Sequence, residues 1–194
     1  MKFPNSLFPP RPTGLAQALL RPLIREGDVV IDATAGNGYD TLFLAECVGA
    51  GGKVLAYDVQ EAALVSARAR LAEAGCDGRV EFFHESHGGM GAYAGEGTVA
   101  VVMFNLGYLP GENHQLTTVA GETLAALEVA ARLIKSGGML SVVCYPGHTA
   151  GAEEAEAVET WMTGLATLGW RVAKYGAVGT RRLAPFLLVG VKCG

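Results

Sequence analysis

A doubly wound α/β domain with a mostly parallel seven-stranded sheet is predicted by three features of the 194-residue chain. Apolar strand-like runs alternate with helical segments from Val29 onward, the pattern of a parallel sheet with helices on both faces. The runs beginning at Val29, Val99 and Met139 are apolar without alternation, as strands buried on both sides are, so they belong at the centre. The last two runs are separated only by Gly179-Thr-Arg-Arg-Leu-Ala-Pro185, too little chain for a crossover helix, so they pair as an antiparallel hairpin.

The elements follow in order. After Pro9, Pro10 and Pro12, Thr13 is placed to cap a helix over Gly14–Ile24, which Gly27-Asp28 ends. The first strand, Val29–Ile31, runs into Asp32-Ala33-Thr34-Ala35-Gly36-Asn37-Gly38, with a helix from about Tyr39. A strand over Lys53–Tyr57 leads to a helix over Gln60–Ala74 closed by Gly75, and then to a strand over Val80–Phe83. The strand Val99–Phe104 precedes a helix over Glu122–Lys135, closed by Gly137-Gly138, and a strand over Met139–Cys144. A helix around Glu153–Leu168 and the strands Trp170–Val178 and Phe186–Cys193 complete the pattern, with no internal repeat or low-complexity tract.

Size and composition fit one domain, residues 1–194. Mean hydropathy is +0.28, yet no apolar run approaches the roughly 20 residues needed to cross a bilayer, so no membrane role is expected. The early prolines interrupt any secretory segment, and Cys47, Cys76, Cys144 and Cys193 form no C-x-x-C pair, so a reducing cytoplasm is expected. A net charge of −4 argues against a broad basic face, so any RNA must be held locally. Oligomeric state is left open, a homodimer included.

The carboxyl ends of the strands carry the chemistry. A G-x-G alone marks little more than a turn, but Asp32 ends the first strand where its charge would repel a pyrophosphate, and Thr41 stands where a dinucleotide site has its third glycine. S-adenosylmethionine, with its sulfonium and ammonium, suits that acid, while Gly36 and Gly38 let the backbone approach it. Ala33, Thr34 and Asn37 belong to the same loop. Asp58, followed by Val59 and Gln60, ends the second strand at the position from which an acid takes ribose hydroxyls; with Glu61 it also reads as a helix-capping pair. Ser86 and His87, after the third strand, are candidates for the adenine side. The fourth strand delivers Asn105-Leu106-Gly107-Tyr108, which resembles the N-P-P-Y loop of amine-directed methyltransferases with Leu and Gly replacing the prolines. An amide oxygen and a backbone carbonyl there can accept hydrogen bonds from an attacking nitrogen, while an aromatic ring packs on the substrate base. Asn105 and Tyr108 are therefore the catalytic candidates.

Taken together, Asp32-Ala-Thr-Ala-Gly-Asn-Gly-Tyr-Asp-Thr41, Phe104-Asn-Leu-Gly-Tyr-Leu-Pro-Gly111, His114, Thr117-Thr118, Tyr145-Pro-Gly-His148, Gly151 and Glu154 resemble a bacterial family long labelled rRNA methylase. The resemblance implies a Rossmann-like class I fold and methylation of the 5-aminomethyl group of 2-thiouridine at the tRNA wobble position. It implies that Asp32, Gly36, Asn37, Gly38 and Asp58 hold the cofactor and that Asn105 to Tyr108 orient the amine. Leu106, Gly107, His114, Tyr145 and His148 are substrate-side candidates, with Arg181 and Arg182 rimming the site from the hairpin loop. That loop departs from the family, in which asparagines precede Pro-Pro-Phe; here Arg181-Arg182-Leu-Ala-Pro185-Phe186 stands. His87, His114 and His148 lack the close ligand pair of a zinc site, so no metal is expected; His114 or Glu112 is instead a candidate base for an alkylammonium. The rival readings are ribosomal RNA or a small amine as acceptor, a non-catalytic cofactor-binding module associated with RNA, and a nicotinamide dehydrogenase.

Overall fold

The computed structural model describes residues 10–107, 120–147 and 149–194. Among them, seven strands form one sheet in the order β3-β2-β1-β4-β5-β7-β6. These are β1 Val29–Asp32, β2 Lys53–Tyr57, β3 Val80–Phe83, β4 Val99–Leu106, β5 Ile134–Cys144, β6 Trp170–Gly176 and β7 Phe186–Lys192. The helices are α1 Pro12–Leu20, α2 Tyr39–Val48, α3 Glu61–Glu73, α4 Ala120–Leu133 and α5 Thr149–Leu165. The pairs from β3 through β5 are parallel, and β7 runs antiparallel to both β5 and β6. This is the doubly wound, mostly parallel layout expected from the sequence, with the antiparallel pair at its carboxyl-terminal end.

Strand periodicity explains why the runs beginning at Val29, Val99 and Met139 read as apolar without alternation. Successive residues of β4 enter opposite cores. Val102 and Phe104 join Leu140, Val142 and the faces of α4 and α5 that carry Leu127, Val158 and Met162. Val101 and Met103 join Val143 and the faces of α1 and α2 that carry Leu20, Phe43 and Leu44. Each such side chain contributes about 1.5–3 kcal/mol of burial on both faces of one strand, leaving no room for polar alternation. Strand order reverses between β1 and β4, and the crevice at the carboxyl ends there is where ligands bind in such sheets.

Several boundaries differ from the predicted ones. α1 starts at Pro12 with Arg11 as its cap residue and no capping side chain, because proline's fixed φ already suits the first helical position; Thr13 lies inside the first turn. α3 is entered through Gln60 rather than Asp58, so Asp58 is not its cap residue. α4 stops at Leu133 and Ile134 already pairs with Val99, five residues before the predicted strand start. A register shift between Val99 and Val101, with Gly137 at φ +77°, absorbs the glycine pair within the strand. β4 extends past Phe104, so Asn105 and Leu106 pair with Val143 and Cys144 instead of opening a loop. No helix among the described residues is long and apolar enough to cross a membrane.

Candidate active site

β1 ends in Asp32, which is 1% exposed. Thr41 Oγ1 donates to its Oδ2 at 2.6 Å and the Thr34 amide to its Oδ1 at 3.1 Å. Burial, reinforced by the nearby Asp40 carboxylate, pushes its pKa up to about 7. Asp32 therefore braces the turn from β1 into α2, and a cation beside it would favour its charged form. Within that turn, Gly36 and Gly38 have φ of +50° and +79°, which side chains other than glycine's rarely adopt. Gly38 is also hemmed in, since a Cβ there would lie 2.7 Å from Ala67 Cα of α3. Arg70 Nε donates to the Asn37 carbonyl at 2.8 Å, and its guanidinium lies 3.6 Å from the centre of the exposed Tyr39 ring.

Asp58 links the ends of β1 and β2. Its Oδ2 accepts from the Gly36 amide at 2.8 Å and its Oδ1 from the Gln60 amide at 2.9 Å. Each carboxylate oxygen keeps a second lone pair for a hydroxyl. Val59, beside it, is 55% exposed, an apolar face on the same rim. Ser86 Oγ accepts from the Gly88 amide at 3.4 Å and starts a short 3-10 turn, His87–Ala92. His87 is buried with its ring edge on Phe104, and Nδ1 faces the Ala33 carbonyl at 3.2 Å. That contact requires the proton on Nδ1, and burial lowers the pKa, so the ring is neutral with a lone pair on Nε2. Nε2 is buried and has no hydrogen-bond partner among the described residues.

Asn105 lies at the centre. Its amide donates to Thr34 Oγ1 at 2.8 Å, tying β4 to the first loop, and its Nδ2 lies 3.4 Å from Asp40 Oδ2. Tyr145, just past β5, is half-buried; burial raises the pKa of its hydroxyl, and the nearby Asn105 side chain offsets part of that rise. The Tyr145 ring also packs on Gly107, where a Cβ would approach it to 3.0 Å. Leu106 is 3% exposed and belongs to the core, so only its backbone could meet a substrate. Because β6 is antiparallel to β7, and β7 to β5, β6 runs in the direction of the parallel strands and brings the loop after it to the same edge. Arg182 and Leu183 there line a concavity of about 330 Å³ together with Pro146, Gly147, Thr149 and Ala152. Arg181 is exposed beside them. Tyr108, Glu112, His114 and His148 lie outside the described residues.

The donor set suits S-adenosylmethionine. Asp32, Asp40 and Asp58 gather at one edge, and among the described residues none is in an ion pair. Acceptors without a matching cation favour a positively charged ligand over a pyrophosphate. Among the described residues no group of three or more His, Cys, Asp or Glu side chains could hold a metal. Asp40 was not singled out in the sequence; its one local signal is its place beside Thr41 at the start of α2.

Residues 54–190 match the family described as "Putative rRNA methylase". An Arabidopsis thaliana protein named tRNA (mnm(5)s(2)U34)-methyltransferase, chloroplastic, is 41% identical, over 91% of this chain and 67% of its own length. A crystal structure titled as a putative rRNA-methylase from Clostridium thermocellum is 34% identical with a TM-score of 0.90, covering 94% of this chain and 97% of the other. One titled as a putative methyltransferase from Streptococcus mutans in complex with SAH is 30% identical with a TM-score of 0.83, over 93% and 97% of the two chains.

Proposed function

The chain belongs to the rRNA methylase family and is an S-adenosylmethionine-dependent methyltransferase; from that premise we propose that it methylates the 5-aminomethyl group of 2-thiouridine at the wobble position of tRNA. The observation that carries this reading is Asn105, fixed by Thr34 and Asp40 at the carboxyl edge. A hydroxyl acceptor has one O–H to donate and a carbon acceptor none, so neither needs two hydrogen-bond acceptors around it, whereas an amine's N–H groups do. The plant relative is named for a methyltransferase of the same nucleoside.

S-adenosylmethionine supplies an electrophilic methyl group when bound. The first loop, from Asp32 to Gly38, would receive its charged methionine end, Asp58 its ribose, and Val59 with Ser86 and His87 its adenine. Asn105 and Tyr108 would orient the amine nitrogen, with Leu106 and Gly107 contributing backbone, and His114 or Glu112 would take the proton from the ammonium. Tyr145, His148, Arg181 and Arg182 would receive the anticodon. Catalysis then rests on positioning and on complementary charge. The four cysteines are free, which supports a reducing, cytoplasmic setting.

The test is mass spectrometry of tRNA nucleosides from cells lacking the protein, where the unmethylated aminomethyl nucleoside should accumulate. In vitro, Asn105→Ala should keep cofactor affinity within a few fold while single-turnover methylation falls ~10²-fold or more. Unchanged methylation would remove the orientation argument.

A further inference from the structure

We propose that Asp40 is a positioning residue for the reaction: it grips the –NH2 end of the Asn105 side chain and so presents the amide oxygen to the incoming amine. The proposal rests on the reading of Asn105 given above and adds a residue to it.

Asp40 lies in the first turn of α2 and is 9% exposed. Both of its oxygens are used. Gln17 Nε2, from α1, donates to Oδ1 at 2.8 Å, and Asn105 Nδ2, from β4, lies 3.4 Å from Oδ2. Two amide NH2 groups converging on one side chain require it to accept twice, which an ionised carboxylate does. Turning the Asn105 amide by 180° would set its oxygen against a carboxylate oxygen. A planar amide with its nitrogen on Asp40 therefore has its oxygen on the other branch. The Asn105 backbone is pinned at the same time by Thr34 Oγ1, so both ends of the residue are fixed.

A purely structural account leaves the acid unexplained. A neutral Asn at this position could tie α1 to α2 without the cost of burying a carboxylate that, among the described residues, has no ion-pair partner. An Asn both donates and accepts, however, so it would tolerate either orientation of Asn105. A carboxylate tolerates one. Gln17 holds the far oxygen and so aims the carboxylate, which makes α1 part of the positioning chain.

The experiment compares Asp40→Asn, Asn105→Ala and the double variant on tRNA carrying 5-aminomethyl-2-thiouridine. It reads single-turnover rate, calorimetric S-adenosylmethionine affinity, melting temperature and the side-chain amide resonances of Asn105, assigned by their loss in Asn105→Ala. Asp40→Asn should slow methylation ~10-fold or more with cofactor affinity within about threefold, and should shift the Asn105 amide resonances. It should add no further loss in the Asn105→Ala background, because the two changes break one unit. A native rate, unmoved resonances or additive losses would overturn the proposal. Native turnover in Asn105→Ala would instead overturn the orientation reading itself. Should Asp40→Asn melt below the assay temperature, Gln17→Met frees Oδ1 without touching Asn105. Slowing confined to the Asn105 background supports the chain, and equal slowing in both backgrounds overturns it.

Discussion

At the scale of single residues, Asp58 and Asp32 show how an acid serves a fold and a ligand together. Asp58→Ala strips partners from the Gly36 and Gln60 amides, so it should lower stability by about 1–3 kcal/mol and weaken S-adenosylmethionine binding ~10-fold or more. Denaturant titration and calorimetry separate the two effects, and lost stability with intact affinity would reduce Asp58 to a loop brace. Asp32 titrates near 7 in the folded chain and near 3.8 unfolded, so between those values the native state holds the extra proton. Stability from this group is thus present below about pH 4 and is lost as pH rises through about 7. Asp32→Asn should melt higher than the parent at pH 8, with the gap closing toward pH 5; a constant gap would mean that burial does not govern this carboxyl. Asp32, Asp58 and Asn105 were legible because strand ends and motif spacing announce them. Asp40 was not, since its partners stand 23 and 65 residues away and only packing unites them.

Among the elements, the turn from β1 into α2 is the least forgiving. Gly38→Ala adds a methyl at φ +79° and within 2.7 Å of Ala67 Cα, combining a disfavoured backbone with a collision against α3. A loss of roughly 2 kcal/mol or more is expected by chemical denaturation, with α3 displaced from the loop that Arg70 also braces. A neutral effect would show that α2 and α3 part easily. Sequence patterns located the seven strands and five α-helices but misplaced several boundaries, two of them at the site's own strands. Gly137-Gly138 reads as a helix stop, yet Ile134 already pairs with Val99, because a glycine pair can bulge inside a ladder as readily as end a helix. Asn105 reads as a turn residue, yet it is a strand residue whose side chain is spent on the site.

For the whole molecule, a net charge of −4 means that attraction to the proposed tRNA substrate would have to be concentrated, and the loop after β6 is the place the topology offers. Replacing Arg181 and Arg182 together with Ala should lower tRNA affinity and flatten its salt dependence by up to about two phosphate contacts, with S-adenosylmethionine binding intact. Equal salt slopes would move the RNA to another face, such as Arg11, Arg21 and Arg25 around α1. The parallel half of the sheet was legible from strand–helix alternation, and the antiparallel end from the short final loop. What no local pattern could reveal is that β7, later in sequence, lies between β5 and β6. That insertion matters on the ribosome. β5 emerges with its outer edge bare, and β6 follows without being able to cover it, so a central strand of the sheet waits for Phe186 onward before its backbone is paired. An open apolar edge of this kind invites strands from other chains, so until Phe186–Lys192 pairs with it this edge is where the folding chain is most open to mispairing.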